Sequence, residues 1–335
     1  KISGWAKGYV ASAFDAHLLK GYTDNNFKPK NPIKRAEAIV TLDRTKSKMD
    51  SDKLLEELND SKAIKILSIG NSFSEDSTKW LYDIAKSSGV DVIIGNVYYS
   101  GCTLEKHWSN AESNVAAYSY YKHSSDGNTK IEKQTMKDCI KDEKWDYITF
   151  QQYSGDSGLY NTFQPYLNNL ISYVKGLSTN DKVKFALNMT WAYAGDSTNE
   201  HFINYSNNQI YMYNLIVNAY QQALSDTDID IIIPCGTAIQ NGRTNEALNL
   251  IGDELTRDGY HLNEGIGRYI AGLTFFEALI VKNKNIQKDL LKDVTFIPNT
   301  ADSNEYLAIL AKIAAKNAVK NPFKITEIPY NELVN

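Results

Sequence analysis

The run Ile64-Lys65-Ile66-Leu67-Ser68-Ile69-Gly70-Asn71-Ser72-Phe73-Ser74, with the amphipathic stretch 75–88 behind it, decides the fold. A short apolar run bounded by turn residues reads as a buried strand. Here the Gly-Asn-Ser turn passes directly into a helix. The alternation then repeats. Strands are expected at 90–97, 145–150, 183–190 and 229–234, and helices at 129–142, 162–177, 205–224, 262–281 and 305–319. Five strands separated by helices imply a parallel sheet covered on both faces, an α/β chain built as a three-layer α/β/α sandwich. Such sheets bind ligands beyond the carboxyl ends of their strands, so functional residues are sought there.

Those strand ends carry chemistry. The first leads to Gly70-Asn71-Ser72, the second to Tyr98-Tyr99-Ser100-Gly101-Cys102, the third to Gln151-Gln152-Tyr153, and the fourth to Thr190-Trp191. Farther on, Arg257-Asp258-Gly259-Tyr260-His261-Leu262 enters a long helix. Acyl transfer needs a hydroxyl beside an imidazole, a carboxylate that orients the imidazole, and N–H donors for the developing oxyanion. Ser72, His261 and Asp258 supply the first three. The Ser72 N–H, the Gly101 N–H and the Gln151 amide are candidate oxyanion donors, with Gln152 the alternative to Gln151. Ser72, Ser74 and Asp76 are each also able to cap the following helix, and Asp258 to shape a turn. Gly155-Asp156-Ser157 and Gly195-Asp196-Ser197 stand in longer polar stretches and read as turns. Tyr99, Tyr153 and Trp191 lie near strand ends and are candidate sugar-binding aromatics, with ordinary packing the alternative.

The outer parts of the chain differ in character. Residues 1–48 hold ten Lys/Arg and four Asp/Glu; with a net charge of −4 for the whole chain, the remainder carries −10. A basic module on an acidic body suggests an anionic polymer as partner. No interleaved basic and aromatic stripe points to nucleic acid, and no run of 18 apolar residues points to a membrane span. Helices are expected at 5–19 and from Ile33 to near Arg44, joined by a turn-rich loop. Residues 49–61 read as a charged linker and 62–335 as the catalytic domain. Three widely spaced cysteines, Cys102, Cys139 and Cys235, fit neither a zinc pattern nor a disulfide framework. The histidines have no metal-ligand spacing, so neither metal nor cofactor is expected.

Two resemblances follow from these residues. Trp5-Ala6, Gly21-Tyr22-x-Asp24-x-x-Phe27, Pro32 and Ile33-Lys34-Arg35-Ala36-Glu37 resemble one repeat of the S-layer homology module, with Lys34 where the family usually has Thr. The resemblance implies an anionic cell-wall polysaccharide as partner, with Trp5 and Arg35 as its contacts. It also implies a secreted protein at the surface of a Gram-positive-type bacterium, with a signal peptide and further modules expected upstream of Lys1. Gly70-Asn71-Ser72-Phe73-Ser74, Gly101 and Asp258-Gly259-Tyr260-His261-Leu262 resemble the SGNH (GDSL-like) hydrolases, with Asn71 where many members have Asp. Phe150-Gln151-Gln152 departs from that family's Gly-x-Asn-Asp block and looks like the branch of carbohydrate acetylesterases. That resemblance implies a flavodoxin-like sheet and a Ser-His-Asp esterase acting on an acetylated polysaccharide or oligosaccharide. A lipase, thioesterase or arylesterase on the same fold is the alternative enzyme. A non-catalytic wall-anchored carbohydrate-binding protein is the alternative from another class.

Overall fold

The computed structural model describes residues 7–15, 18, 40–46, 63–282 and 289–329. The chain forms two compact units, Lys1–Asp60 with Ile286–Lys288, and Ser61–Asn285 with Asp289–Asn335. In the first unit the described elements are helix α1 (Lys7–Asp15) and helix α2 (residues 40–46), each within a stretch expected to be helical or just beyond it. Trp5, Arg35 and the linker at 49–61 lie outside the described residues.

The second unit is built on seven strands: β1 (Ile64–Gly70), β2 (Val92–Tyr98), β3 (Tyr118–Ser124), β4 (Gly127–Gln134), β5 (Tyr147–Phe150), β6 (Lys184–Asn188) and β7 (Ile231–Ile233). Their order is β4-β3-β2-β1-β5-β6-β7. β2, β1, β5, β6 and β7 run parallel, the five-stranded sheet expected from the sequence. All seven residues of β1 are buried, as a central parallel strand covered on both faces requires. Truncating one of them, Leu67→Ala, costs about 2–5 kcal/mol.

The helices are α3 (Ser72–Thr78), α4 (Leu81–Ser87), α5 (Leu104–Glu112), α6 (Met136–Asp142), α7 (Tyr166–Leu177), α8 (Gln209–Ser225), α9 (Cys235–Arg243), α10 (Glu246–Asn249), α11 (Ile266–Phe275) and α12 (Glu305–Lys320). The connection from β1 to β2 travels one way along the sheet and that from β2 to β5 the other. With right-handed crossovers, the helices of the two connections must lie on opposite faces. Accordingly α11 packs against α3, α4, α9 and α12, while α7 packs against α5 and α6.

The structure corrects the sequence reading at one edge. The helix expected at 129–142 begins only at Met136, because Thr135 is its N-cap and accepts from the Asp138 N–H at 3.1 Å. The residues before it form the antiparallel hairpin β3–β4, so the sheet has seven strands rather than five. Asp126-Gly127 sits at its tip, with Gly127 at φ +112°. Asp-Gly between alternating strands is a strong hairpin signal. The helix expected at 75–88 starts earlier, at Ser72, and is divided into α3 and α4. Helix α9 was not expected, since its Gly236, Asn241 and Gly242 are poor helix formers. All nine of its residues are buried, and a Cβ on Gly236 would stand 2.2 Å from the Thr190 carbonyl oxygen. Close packing there overrides propensity.

Candidate active site

The direction of strand addition reverses beside β1, which leaves a crevice between the loops after β1, β2 and β5 at the carboxyl edge of the sheet. Ser72 is the first residue of α3 and is partly exposed there. Asn71 is the N-cap, in extended geometry at φ −137°, and its Oδ1 accepts from the Phe73 N–H at 3.0 Å. The N–H of Ser72 has no intrahelical acceptor, as the first residue of a helix never does.

His261 reaches Ser72 from 189 residues away. Its Nε2 lies 2.9 Å from Ser72 Oγ, and its Nδ1 lies 2.7 Å from Asp258 Oδ2. The other carboxylate oxygen of Asp258 accepts from the His261 N–H at 2.8 Å and the Tyr260 N–H at 3.3 Å. Burial works against the charge on Asp258. The hydrogen bonds from the His261 ring and main chain, the attraction of His261 and the Tyr260 N–H outweigh it and hold the carboxyl below its usual range. Gly259, at φ +84°, makes the tight turn between acid and base and lies against Ser197, 3.0 Å from Oγ to a Cβ position. The three residues singled out from opposite ends of the domain therefore meet in one hydrogen-bonded chain.

The oxyanion candidates sit around a second network. Gly101, at φ +61°, is exposed, and its N–H has no acceptor among the described residues. Gln151 is 2% exposed. Its Nε2 donates to Asn71 Oδ1 at 2.8 Å, and its Oε1 accepts from Asn188 Nδ2 at 3.3 Å. One amide hydrogen of Gln151 is left without a partner among the described residues. Gln152 has no such reserve. Its Oε1 accepts from the Leu104 and Tyr153 N–H groups at 2.9 and 2.8 Å, and its Nε2 donates to the Thr162 carbonyl and hydroxyl. Asn71 also donates from Nδ2 to the Cys102 carbonyl at 3.1 Å. An aspartate at 71 has no hydrogen to give there, so the amide ties the cap of α3 to the loop after β2.

Asp76 is the residue that the sequence reading underrated. It is 1% exposed, one turn beyond Ser72 on α3. Its carboxylate accepts from Arg268 Nε at 2.8 Å, from Arg257 Nη1 at 3.2 Å and from the Leu262 N–H at 2.9 Å. Arg257 also donates to the Leu262 carbonyl, and Arg268 pairs with Glu264. A buried carboxylate stays only where it is paired and hydrogen-bonded. The signal was present: an acid four residues after Ser72, and arginines at 257 and 268 on either side of Asp-x-x-His.

The aromatic candidates separate. Tyr99 and Tyr153 are partly exposed, Tyr99 edge-on to Tyr118 and Tyr153 edge-on to His201. Trp191 is not a surface platform, which corrects its place among the sugar-binding candidates. It is 0% exposed, stacked on Phe73 at 4.3 Å, and donates from Nε1 to the Tyr260 carbonyl at 2.7 Å. It supports the turn between Asp258 and His261 from beneath. Tyr260 instead lies beside the His261 imidazole, with ring centroids 4.2 Å apart. Ser157 is buried and donates to the Ser154 carbonyl, and Ser197 lies in a turn closed onto the Ala194 carbonyl, as expected of both. Cys102 is buried, and burial pushes its thiol up to about 12, with Lys106 opposing, so it is inert packing.

Comparison with known proteins places the chain. Residues 65–318 match a family model described as a domain of unknown function, DUF4886. The chain belongs to the DUF4886 family. A DUF4886 protein from Bacteroides uniformis ATCC 8492, known from a crystal structure, is 39% identical, with a TM-score of 0.73 over 80% of this chain and 98% of that one. More distant likenesses include a proposed SGNH hydrolase from Slackia heliotrinireducens, 16% identical with a TM-score of 0.46, covering 65% of this chain and 100% of that one. An acetylxylan esterase from Geobacillus stearothermophilus, crystallised as a catalytic mutant, is 13% identical with a TM-score of 0.42, covering 66% and 95%. Residues 1–39, ahead of the DUF4886 region, match the S-layer homology domain. No match to a curated protein was found. No helix among the described residues is long and apolar enough to cross a membrane.

Proposed function

We propose that this DUF4886 protein is a serine ester hydrolase that removes acyl groups, acetyl first among them, from carbohydrate. The observation that carries the reading is the pair of distances on His261: 2.9 Å from Nε2 to Ser72 Oγ and 2.7 Å from Nδ1 to Asp258 Oδ2. A hydrogen bond on both ring nitrogens fixes the tautomer, with the proton on Nδ1 and the lone pair of Nε2 toward the serine.

In this mechanism Ser72 Oγ attacks the ester carbonyl as its proton passes to His261 Nε2. The oxyanion is received by the Ser72 and Gly101 N–H groups and by the free amide hydrogen of Gln151. Collapse breaks the bond to the alcohol oxygen, which takes the proton from Nε2 and departs. Water, deprotonated by the same nitrogen, then adds to the acyl-serine; the bond to Ser72 Oγ breaks as Oγ takes the proton back from Nε2, and the carboxylic acid is released as the second product. Asp258 remains a carboxylate and steadies the imidazolium. The choice of Gln151 over Gln152 is supported by the commitment of every Gln152 amide group to the surrounding loops. The partly exposed Tyr99, Tyr153 and Tyr260 support a substrate with both apolar faces and hydroxyls.

The match of residues 1–39 to the S-layer homology domain supports a second part of the proposal. The basic module holds the esterase at a bacterial cell surface through an anionic wall polysaccharide, with Trp5 and Arg35 as contacts. Aryl acetate hydrolysis, active-site labelling by a fluorophosphonate and acetate release from acetylated xylan, mannan, pectin and peptidoglycan fragments test the reading together. Wild type is expected to turn over, and Ser72→Ala to lose both turnover and label while keeping its unfolding midpoint. An unreactive wild-type Ser72 refutes it.

A further inference from the structure

Hairpin β3–β4 reaches beyond the helices that cover its face of the sheet. The register places His123 opposite Ile94 and Tyr121 opposite Asn96, and Asn128 of β4 opposite His123. Side chains alternate along a strand, so Asn96, Tyr121, His123 and Asn128 share one face. It is the face packed by α3, because Ser74 donates to Asn96 Oδ1 at 2.9 Å. Between that helix and the hairpin lies a cavity of about 290 Å³, with Glu75, Trp80 and Asp83 on one wall and Tyr121, His123 and Asn128 on the other.

Three observations say what suits it. First, the walls carry aromatic rings beside hydrogen-bonding groups, a mixture that suits sugar rings, with apolar faces and polar edges. Second, Asp83 and His123 are half-buried and attract each other, Tyr82 stacks on the His123 ring at 3.8 Å, and neither side chain is hydrogen-bonded to another side chain among the described residues. Partly desolvated polar groups short of side-chain hydrogen bonds favour a ligand that brings hydroxyls. Third, the lining of the cavity begins at Glu75, one helical turn from Ser72. Ser72, Glu75 and Lys79 stand at i, i+3 and i+7 along one stripe of α3 and its C-cap, which at 1.5 Å per residue descends about 10 Å from the rim. β2 descends beside it from Tyr98 to Ile94, about 13 Å at 3.3 Å per residue.

We propose that this groove is a saccharide subsite. A neutral glycan chain lies along it, its rings against Trp80 and Tyr121 and its hydroxyls on Asp83, His123 and Asn128. The inference rests on the esterase reading for one point only, that the chain's acylated unit reaches Ser72. Lys122, one cation of the lining, is already paired with Asp142 and Glu143 at 2.7 Å each, and Lys79, the other, shares the walls with the carboxylates of Glu75 and Asp83. That balance favours an uncharged chain over a polyanion.

The test is titration of the whole protein with neutral xylo- and manno-tetraose, followed by NMR of the His123 imidazole and the Trp80 indole. Saturable shifts at both are expected, with affinity weakened about tenfold in Asp83→Asn and in Asn128→Ala. Both variants keep the fold within reach, since one is isosteric and the other lies near the exposed hairpin tip. Shifts confined to the surroundings of Ser72, or no shifts at millimolar sugar, overturn the groove. If they are absent while wild type still hydrolyses aryl acetate, the esterase reading stands and the groove alone falls. Groove shifts in a protein that hydrolyses no ester leave the saccharide site and remove the esterase.

Discussion

The Leu262 N–H donates to Asp76 Oδ2 at 2.9 Å, so the helix that bears Ser72 and the loop that bears His261 share a bond. The two arginines on the same carboxylate extend the joint to Arg257, just ahead of the acid, and to Arg268 in α11.

Removing that charge is expected to act on geometry as well as stability. Asp76→Asn leaves two guanidinium groups short of their partner, and breaking a buried pair costs about 3–5 kcal/mol. Urea unfolding should show that loss. At temperatures where the variant stays folded, kcat should fall with KM little changed, and fluorophosphonate labelling of Ser72 should slow in parallel. A variant less stable but as active as wild type would deny Asp76 any positioning role.

The two glutamines should separate cleanly. Gln151→Ala is expected to lower kcat by about 10²–10³ as an oxyanion donor is lost. Gln152→Ala removes the acceptor of two main-chain N–H groups, that of Leu104 buried and that of Tyr153 partly so, at about 1–3 kcal/mol for a buried group left unpaired. Its main signature should be a lower unfolding midpoint. Steady-state kinetics beside thermal melts of the two variants checks the assignment. A larger kcat loss in Gln152→Ala reverses it.

Asp258→Asn keeps the size of the side chain and loses the charge that steadies the imidazolium. A fall in kcat on the order of 10³–10⁴ is expected. The depressed carboxyl of Asp258 contributes stability that is fully present above the unfolded value, about 3.9, and is lost as pH falls through the lower folded value. Acid melts of wild type and Asp258→Asn should therefore diverge least at low pH and most above about 4.

Glu277 predicts the opposite slope. It lies in the turn of wider helix Phe276–Lys282 that follows α11, and its Oε2 is buried with no hydrogen-bond partner among the described residues. Burial pushes its carboxyl up to about 7, aided by Asp289 and opposed by Lys316 and Lys282. The unfolded chain releases this proton more readily, so stability declines as pH rises from about 4.5 to about 7, by on the order of 2–3 kcal/mol. Glu277→Gln should flatten that decline and raise the melting temperature at pH 8. Parallel melts at pH 5 and pH 8 measure it.

Much of this was legible in the sequence because it depends on local rules. An apolar run such as Ile64–Ile69, ending in Gly-Asn-Ser before an amphipathic stretch, fixes strand, turn and helix together. A parallel sheet then sends Ser72, Gly101 and Gln151 to one edge. What escaped depended on partners distant in the chain. Asp76 reads as a possible helix cap until Arg257 and Arg268 are seen around it. Trp191 reads as a surface aromatic until Phe73 covers its face. The hairpin was masked by Lys130–Gln134, which is polar but for an exposed Ile131 on the outer strand and so lacks the alternation that a half-buried strand displays. The Asp126-Gly127 tip was the better clue.

The amide of Asn71 takes part at once in the cap of α3, in the loop after β2 through Cys102 and in the anchoring of Gln151. Gln151 is in turn held by Asn188, which also reaches Ser77 on α3. Substitutions within this ring are not independent events: the effect of a second change will depend on which came first. Natural variation at 71, 151 and 188 should accordingly travel as a set, and a designer altering one of the three would have to redraw the others with it.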